Sequence, residues 1–222
     1  MLMTRLEMGY AEHCFQDVRP CGDGMISRGD GSIIRMMLAD GIGHGQTAHN
    51  SVRMLQQQFS WFYERSQSSG SLSQCVREMH ERMKQGACNG QAAVAVVELD
   101  TATGLLNALS IGNVKTHLIG MGSGTGTATV LTMPCLNGMV GGTLPSHLPL
   151  SVEQLETWSL LISHSDGISA RALRPYLESF GESRTIHTGE AQSMANQIVE
   201  RFGKRSDDAS CAVVLLKPEG SR

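Results

Sequence analysis

Aspartates stand beside glycine or serine at several places in the sequence where an apolar run begins or ends. They are Asp23 in CGDG, Asp40 in ADGIGHG, Asp166 in SDGI, and Asp207 and Asp208 in SDDAS. A single Asp-Gly pair is a common turn dipeptide, so each residue taken alone is typical of a turn. Several carboxylates at strand ends are instead typical of a site for hard cations such as Mg²⁺ or Mn²⁺.

Carboxylates that meet in space without a counter-ion repel one another. Each pair about 4 Å apart costs about 4 kcal/mol at an effective dielectric constant of about 20, so such a cluster needs cations. Two divalent ions roughly 3.5 to 4 Å apart share a carboxylate and activate a water molecule near neutral pH. The pattern therefore predicts two Mn²⁺ or Mg²⁺ ions and the hydrolysis of a phosphate ester.

The elements around Asp40 explain why glycines follow it. The apolar run SIIRMMLAD ends at Asp40 and predicts a strand buried on both faces. Apolar residues at helical spacing then predict a helix over residues 47–65 and another over residues 72–85. Gly41 leaves its backbone carbonyl free to approach a metal, and the glycines after it turn the chain sharply from strand to helix.

The second half of the chain carries the other acids between predicted strands. Residues 92–133 read as successive strands joined by turns, which predicts an antiparallel meander. Residues 134–157 read as irregular, and the apolar run that follows stops at Asp166. A helix is predicted over residues 189–202, and the aspartate pair then precedes a final strand rich in Val and Leu.

Composition places the chain among ordinary globular proteins. Its 222 residues, with 41% hydrophobic and 18% charged residues, predict a single domain over residues 1–222. A net charge of -3 argues against nucleic acid as a partner, and the lack of a long apolar run or a signal peptide argues against a membrane and for a cytoplasmic location. The six cysteines lack metal-ligand spacing, which predicts reduced thiols rather than a zinc site or disulfides.

These motifs, in this order, resemble the metal-dependent protein phosphatase (PPM) family and more closely its bacterial SpoIIE/RsbX branch. The motifs are CGDG at 21–24, DGIGHG at 40–45, IGN at 111–113, SDGI at 165–168 and DDAS at 207–210. The absence of additional sensor domains makes the stand-alone RsbX type the nearer resemblance. It implies an α+β fold, a four-layer α/β/β/α sandwich of two antiparallel sheets flanked by helices, with metals at one edge.

The resemblance also implies roles for individual residues. Asp40 is similar to the carboxylate that bridges both metals, and Gly41 to the residue whose backbone carbonyl is a ligand. Asp166 and Asp207 are similar to ligands of the second metal. The same comparison makes Asp208 an alternative ligand or a neighbour of the ligands.

Other polar residues in the motifs have two possible roles each. Asp23 resembles an acid that meets a metal directly or through water. His44 is either a general acid or a structural cap at the helix start. The cap is favoured because Ile42 holds the position where many relatives have the general acid. His164 reads as a packed residue rather than a ligand, and Asn113 as a turn residue with a substrate role as the alternative.

The resemblance implies a serine/threonine phosphatase in which metal-activated water attacks a phosphoserine or phosphothreonine. Its implied substrate is a phosphorylated STAS-domain protein, an anti-sigma-factor antagonist or stressosome component that a serine kinase phosphorylates. The alternative function is a catalytically inactive phosphatase fold that binds a signalling partner, and a hydrolase of small phosphoesters is a third. The oligomeric state stays open.

Overall fold

The computed structural model describes residues 4–17, 19–65, 70–85, 90–120, 127–181 and 189–218. The strands are β1 (Thr4–His13), β2 (Asp23–Asp30), β3 (Ile33–Gly41), β4 (Ala92–Asp100), β5 (Leu105–Ile111), β6 (Lys115–Gly120), β7 (Thr129–Thr132), β8 (Cys135–Leu136), β9 (Ser151–Gln154), β10 (Leu160–His164) and β11 (Ala209–Pro218). The helices are α1 (Gly45–Arg65), α2 (Leu72–Gln85), α3 (Ala170–Glu178) and α4 (Glu190–Phe202).

The strands form two sheets. Sheet I has the order β1-β11-β10-β6-β7, and sheet II has the order β2-β3-β4-β5-β8 with β9 also paired to β5. The pairings are antiparallel except between β5 and β8, which are parallel over a short register. The predicted pair of antiparallel sheets is thus confirmed, with one small parallel contact added.

Side chains alternate between two apolar layers along the central strands. On β11, Val213 and Leu215 pack with α3 and α4, whereas Ala212 and Val214 enter the core between the sheets. Strand β4 does the same for sheet II, because Val96 packs under α1 and α2 while its neighbour Val97 faces sheet I. Strands buried on both faces explain the continuous apolar runs of the sequence, and the predicted four-layer α/β/β/α sandwich is confirmed.

Three helix predictions agree closely with the structure, including α4 (Glu190–Phe202) for the helix predicted over residues 189–202, and one helix was missed. Helices α1 and α2 span Gly45–Arg65 and Leu72–Gln85, and their buried residues recur at the three- and four-residue steps that the sequence shows. The sequence analysis predicted no helix at Ala170–Glu178. That helix is short and contains Pro175, so neither its periodicity nor its composition marked it.

The prediction of a continuous meander over residues 92–133 is wrong. Strands β4 and β5 pair within sheet II, but β6 pairs with β10 and β7 in sheet I. The chain crosses from one sheet to the other at Gly112 and Asn113, where Gly112 has φ +90°. The region predicted as irregular, residues 134–157, also contains the short strands β8 and β9.

Candidate active site

Asp23 and Asp40 lie side by side on two adjacent strands of sheet II. They are register partners where β2 begins and β3 ends, so the hairpin places both carboxylates at the same edge. Gly41 follows, and a Cβ on it would lie 2.6 Å from the backbone oxygen of Ala48 in α1. The structure therefore needs glycine here for the close approach of the helix, and this approach fixes Asp40 between the sheet and the helix start.

Asp166 reaches the same edge from sheet I. It lies just after β10, and its Oδ2 accepts a hydrogen bond of 2.6 Å from Nδ2 of Asn113, in the turn that joins the two sheets. The Lys204 ammonium donates to the backbone carbonyl of Asp166. A Cβ on Gly167 would collide with the backbone of Asp208, so the two acidic loops pack directly against each other.

These acids surround one cleft with a volume of about 260 Å³. Asp40, Gly41, Asn113, Asp166 and Asp207 all line it. The residues come from the ends of β3, β5, β10 and the start of β11, far apart in sequence. Asp40, Asp166 and Asp207, which the sequence motifs single out, thus line the same cleft.

None of the described residues that line the cleft is a lysine or arginine that would compensate the charges of the acids. Burial and the neighbouring carboxylates of Asp23, Asp166 and Asp207 together raise the pKa of Asp40 to about 9. Burial and the charge of Asp166 likewise raise the pKa of Asp207. A divalent cation would reverse both effects, because it stabilises the ionised carboxylates.

Asp23 has a buried carboxylate whose oxygens lack hydrogen-bond partners among the described residues. Only 4% of the residue is exposed, and neither oxygen makes a hydrogen bond within the described part of the chain. Burial raises its pKa to about 7, although the hydroxyls of Ser165 and Ser210 lie near enough to lower it. Two buried oxygens that make no hydrogen bond of regular geometry are the observation that a cation, direct or through water, would explain.

Asp208 is directed away from the cleft. Its Oδ1 accepts a hydrogen bond from the backbone N–H of Phe15 at 2.7 Å, and its Oδ2 from that of Gly22 at 2.9 Å. The thiol of Cys21 also donates to Oδ1, at 3.4 Å. Because both oxygens are occupied, Asp208 ties the segment before β2 to the start of β11, while its neighbour Asp207 lines the cleft.

The acids suit divalent cations by chemistry and charge, although no three of their carboxylates, among the described residues, lie close enough together to bind one ion directly. Among the described residues, no group that includes Asp40, Asp166 or Asp207 has three ligand atoms within 4.8 Å of one another. Ligands of one Mg²⁺ at about 2.1 Å lie at most about 4.2 Å apart. Side-chain rotation, or the waters that Mg²⁺ usually keeps, would have to complete each coordination sphere.

The comparison with protein families decides to which family this architecture belongs. The family model described as Stage II sporulation protein E (SpoIIE) matches residues 30–217, well over half of the chain. The chain belongs to the SpoIIE family. The resemblance to the SpoIIE branch is thus confirmed, and the matched region contains the four motifs from DGIGHG to DDAS.

Solved structures similar to this SpoIIE-family chain share its fold. One, described under "The bacterial stressosome: a modular system that has been adapted to control secondary messenger signaling", has TM-score 0.76 and 22% identity and covers 95% of this chain and 99% of its own. RsbX in complex with magnesium has TM-score 0.73 and 18% identity, over 98% and 100%.

The PP2C phosphatase domain of SpoIIE from Bacillus subtilis, with a fragment of its regulatory domain, has TM-score 0.74 and 15% identity, over 98% of this chain and 64% of that one. At these identities the likeness establishes the PP2C-type fold. No curated protein sequence matches the chain. In the described part of this SpoIIE-family chain, the helices lack the length or the apolar content that crossing a membrane requires.

The histidines near the cleft occupy different positions. His44 is exposed, lines the cleft just before α1, and packs on the ring of Phe15 with centroids 4.6 Å apart. His164 is buried, and its Nδ1 bonds the backbone carbonyl of Ser165 at 2.7 Å. Its Nε2 lies 3.1 Å from Nε2 of His117. The sequence analysis missed this pair of histidines because no local pattern shows that β6 pairs with β10.

This buried imidazole pair predicts a loss of stability in acid. Burial lowers the pKa of both His117 and His164 to about 4. Between about pH 6.5 and pH 4 the unfolded chain binds protons that the folded chain excludes, so stability is lost as the pH falls through that range. Each imidazole is expected to account for about 2 kcal/mol of that loss at pH 5.

Urea unfolding at pH 7 and pH 5 measures this effect. The His117→Asn variant should lose less stability on acidification than the wild type, because one of the two excluded protons is gone. The buried carboxylates of the cleft titrate equally in both proteins and cancel in the comparison. The same acid-induced loss in both proteins would contradict the assignment.

Proposed function

We propose that this protein is a Mn²⁺- or Mg²⁺-dependent serine/threonine phosphatase. The observation that carries the proposal is the cleft itself, where Asp40, Asp166 and Asp207 meet from both sheets without a compensating cation among the residues that line it. A phosphatase site must hold divalent ions against a phosphate, and carboxylate oxygens are the ligands these ions prefer. Membership of the SpoIIE family supports the same conclusion.

The residues of the cleft divide the work. In the proposal the carboxylates of Asp40, Asp166 and Asp207 and the backbone carbonyl of Gly41 would hold the ions. Bound divalent cations would neutralise the carboxylates and provide Lewis-acid assistance for the attack of water on the phosphorus. The Asn113 amide, which donates to Asp166, keeps that carboxylate turned toward the cleft.

Two acids have supporting roles. Asp23 completes the site directly or through a water, which would satisfy its unpartnered oxygens. Asp208 is better explained as the residue that positions Asp207, because the backbone donors of Phe15 and Gly22 occupy both of its oxygens.

The proposed substrate is a phosphorylated regulatory protein of the STAS type. The serine kinase that phosphorylates this substrate belongs to the same proposed system. The resemblance to RsbX and to a structure described with the bacterial stressosome supports this choice over other phosphoproteins. A cytoplasmic location is part of the proposal, because ATP-dependent phosphorylation of the substrate occurs there. We also treat residues 1–222 as one domain, since both sheets contribute acids to the same cleft.

Phosphate release tests the function. With Mn²⁺, the protein should hydrolyse p-nitrophenyl phosphate and remove phosphate from a phosphorylated STAS protein, and the Asp166→Asn variant should do neither. Binding of the phosphoprotein without any phosphate release, in the wild type as in the variant, would support the inactive binding module instead. Equal rates on free phosphoserine and on the phosphoprotein would indicate a hydrolase of small phosphoesters.

Cation binding should also change stability in a pH-dependent way. Because Asp40 holds its proton up to about pH 9 in the folded protein but not in the unfolded chain, stability without cations falls as the pH rises from 7 to 9. Mn²⁺ at about a hundred times its dissociation constant should raise the melting temperature by about 5 to 10 °C. With the Mn²⁺ concentration held constant, the increment measured by scanning calorimetry should be larger at pH 8.5 than at pH 6.5, because carboxylates that have lost their protons bind the ion more tightly. A pH-independent increment would contradict the prediction.

A further inference from the structure

A second group of metal-ligating side chains lies beside the cleft, on the N-terminal segment. Ligand atoms of Glu12, Cys14 and Cys21 all lie within 4.8 Å of one another. Both cysteines are free thiols and nearly buried, with 6% and 4% of their surface exposed. Among the described residues this is the group of three that meets that distance, and none of its members lines the cleft.

A fourth side chain with a ligand atom lies beside Cys21. Oδ1 of Asp208 lies 3.4 Å from Sγ of Cys21. In a tetrahedral zinc site, with Zn–S about 2.3 Å and Zn–O about 2.0 Å, a sulfur and an oxygen ligand lie about 3.5 Å apart. We propose that Glu12, Cys14, Cys21 and Asp208 form a structural zinc site.

The chemistry of the group selects zinc over the ions of the cleft. Two thiolates are soft ligands that favour Zn²⁺, whereas Mg²⁺ and Mn²⁺ favour a set made of oxygens only. Binding would break two S–H bonds, form two Zn–S bonds and release two protons to solvent, so no oxidant is needed. The hydrogen bond from Cys21 to Asp208 would be replaced by their shared ion.

The surroundings of the group suit an ion. Nη1 of Arg19 lies 3.5 Å from Oε1 of Glu12 and offsets part of the excess negative charge. Glu12 also lines a separate cavity with a volume of about 670 Å³, together with His13 and Gln16. Through this cavity the ion would reach Glu12 without passing through the active-site cleft.

The proposed ion would connect the segment before β2 to the loop before β11. Cys21 lies two residues before Asp23, and Asp208 directly follows Asp207. Zinc at this point would therefore fix the backbone next to Asp23 and next to Asp207. Its role would be structural, since the four protein ligands leave no open position for a substrate.

Cobalt substitution and metal analysis test the proposal on the full-length, reduced protein. The wild type should bind one zinc per chain, and replacement by Co²⁺ should give the intense thiolate-to-cobalt charge-transfer band of a tetrahedral site. Cys14→Ser combined with Cys21→Ser should lose the zinc and the band, whereas Cys75→Ser, which changes a buried thiol of α2, should keep both.

A further variant separates this site from the cleft. Asp40→Asn should leave zinc binding and the cobalt band unchanged, because Asp40 does not belong to the group. Absence of the band in the wild type would overturn the proposal even if the double variant failed to fold. Equal zinc content in the wild type and the double variant would overturn it as well, as would a Cys14–Cys21 disulfide that persists in reducing buffer.

Discussion

Asp40→Asn is expected to lower the phosphatase rate by at least about a thousandfold and, in the same protein, to raise the melting temperature measured without cations. The loss of rate corresponds to about 4 kcal/mol of transition-state stabilisation, which is within the several kcal/mol that bound metal ions supply. The gain in stability follows because the raised pKa forces Asp40 to take up a proton when the cation-free chain folds, whereas asparagine is neutral in both states and avoids that cost. Phosphate release and scanning calorimetry measure the two effects.

The control for this variant is Asp30→Asn. Asp30 stands at the opposite end of the same β2–β3 hairpin, away from the cleft, so its substitution should leave the rate unchanged. An Asp40→Asn protein that kept its rate would show that the carboxylate does not hold the ions. A fall in its cation-free melting temperature would show that the cluster is already compensated within the protein.

Asp208→Ala is expected to destabilise the protein by about 3 to 4 kcal/mol. The substitution leaves the buried backbone N–H of Gly22 and the partly buried N–H of Phe15 without their acceptors, at a cost of about 1 to 3 kcal/mol for each. The neighbouring Asp207→Ala should behave differently, with a large loss of rate and little loss of stability, because Asp207 faces the cleft and is partly exposed.

Urea unfolding of the two variants, in the presence of a chelator, separates these roles. A loss for Asp207→Ala as large as that for Asp208→Ala would mean that the two carboxylates share one function. An Asp208→Ala protein of unchanged stability would show that water replaces the carboxylate as acceptor and that the segment before β2 is not held by it.

Local patterns in the sequence predicted the helices and the acids of this fold well. The apolar residues of α1, among them Val52, Leu55 and Phe59, recur at helical spacing because that face packs on sheet II. Asp40 and Asp166 could be placed at strand ends because the buried strands before them are continuous apolar runs. These features depend on neighbours in sequence.

Features that depend on pairing across the chain were missed. Nothing local shows that β5 and β6 belong to different sheets, because the turn at Gly112 would serve a hairpin equally well. The division of labour between Asp207 and Asp208 depends on backbone donors nearly two hundred residues away. The meeting of Cys14 with Cys21 likewise arises from the path of an irregular segment, which has no periodicity to read.

The measurement that tests the central proposal most directly is electron paramagnetic resonance of the protein loaded with Mn²⁺. If Asp40 bridges two ions between Asp166 and Asp207, the wild type should bind two Mn²⁺ per chain and give the spectrum of an exchange-coupled pair. Asp40→Asn should lose that coupling while the fold is retained. Isolated Mn²⁺ spectra in the wild type, or binding that is the same in wild type, Asp40→Asn and Asp166→Asn, would contradict the proposal that these acids hold a pair of catalytic cations.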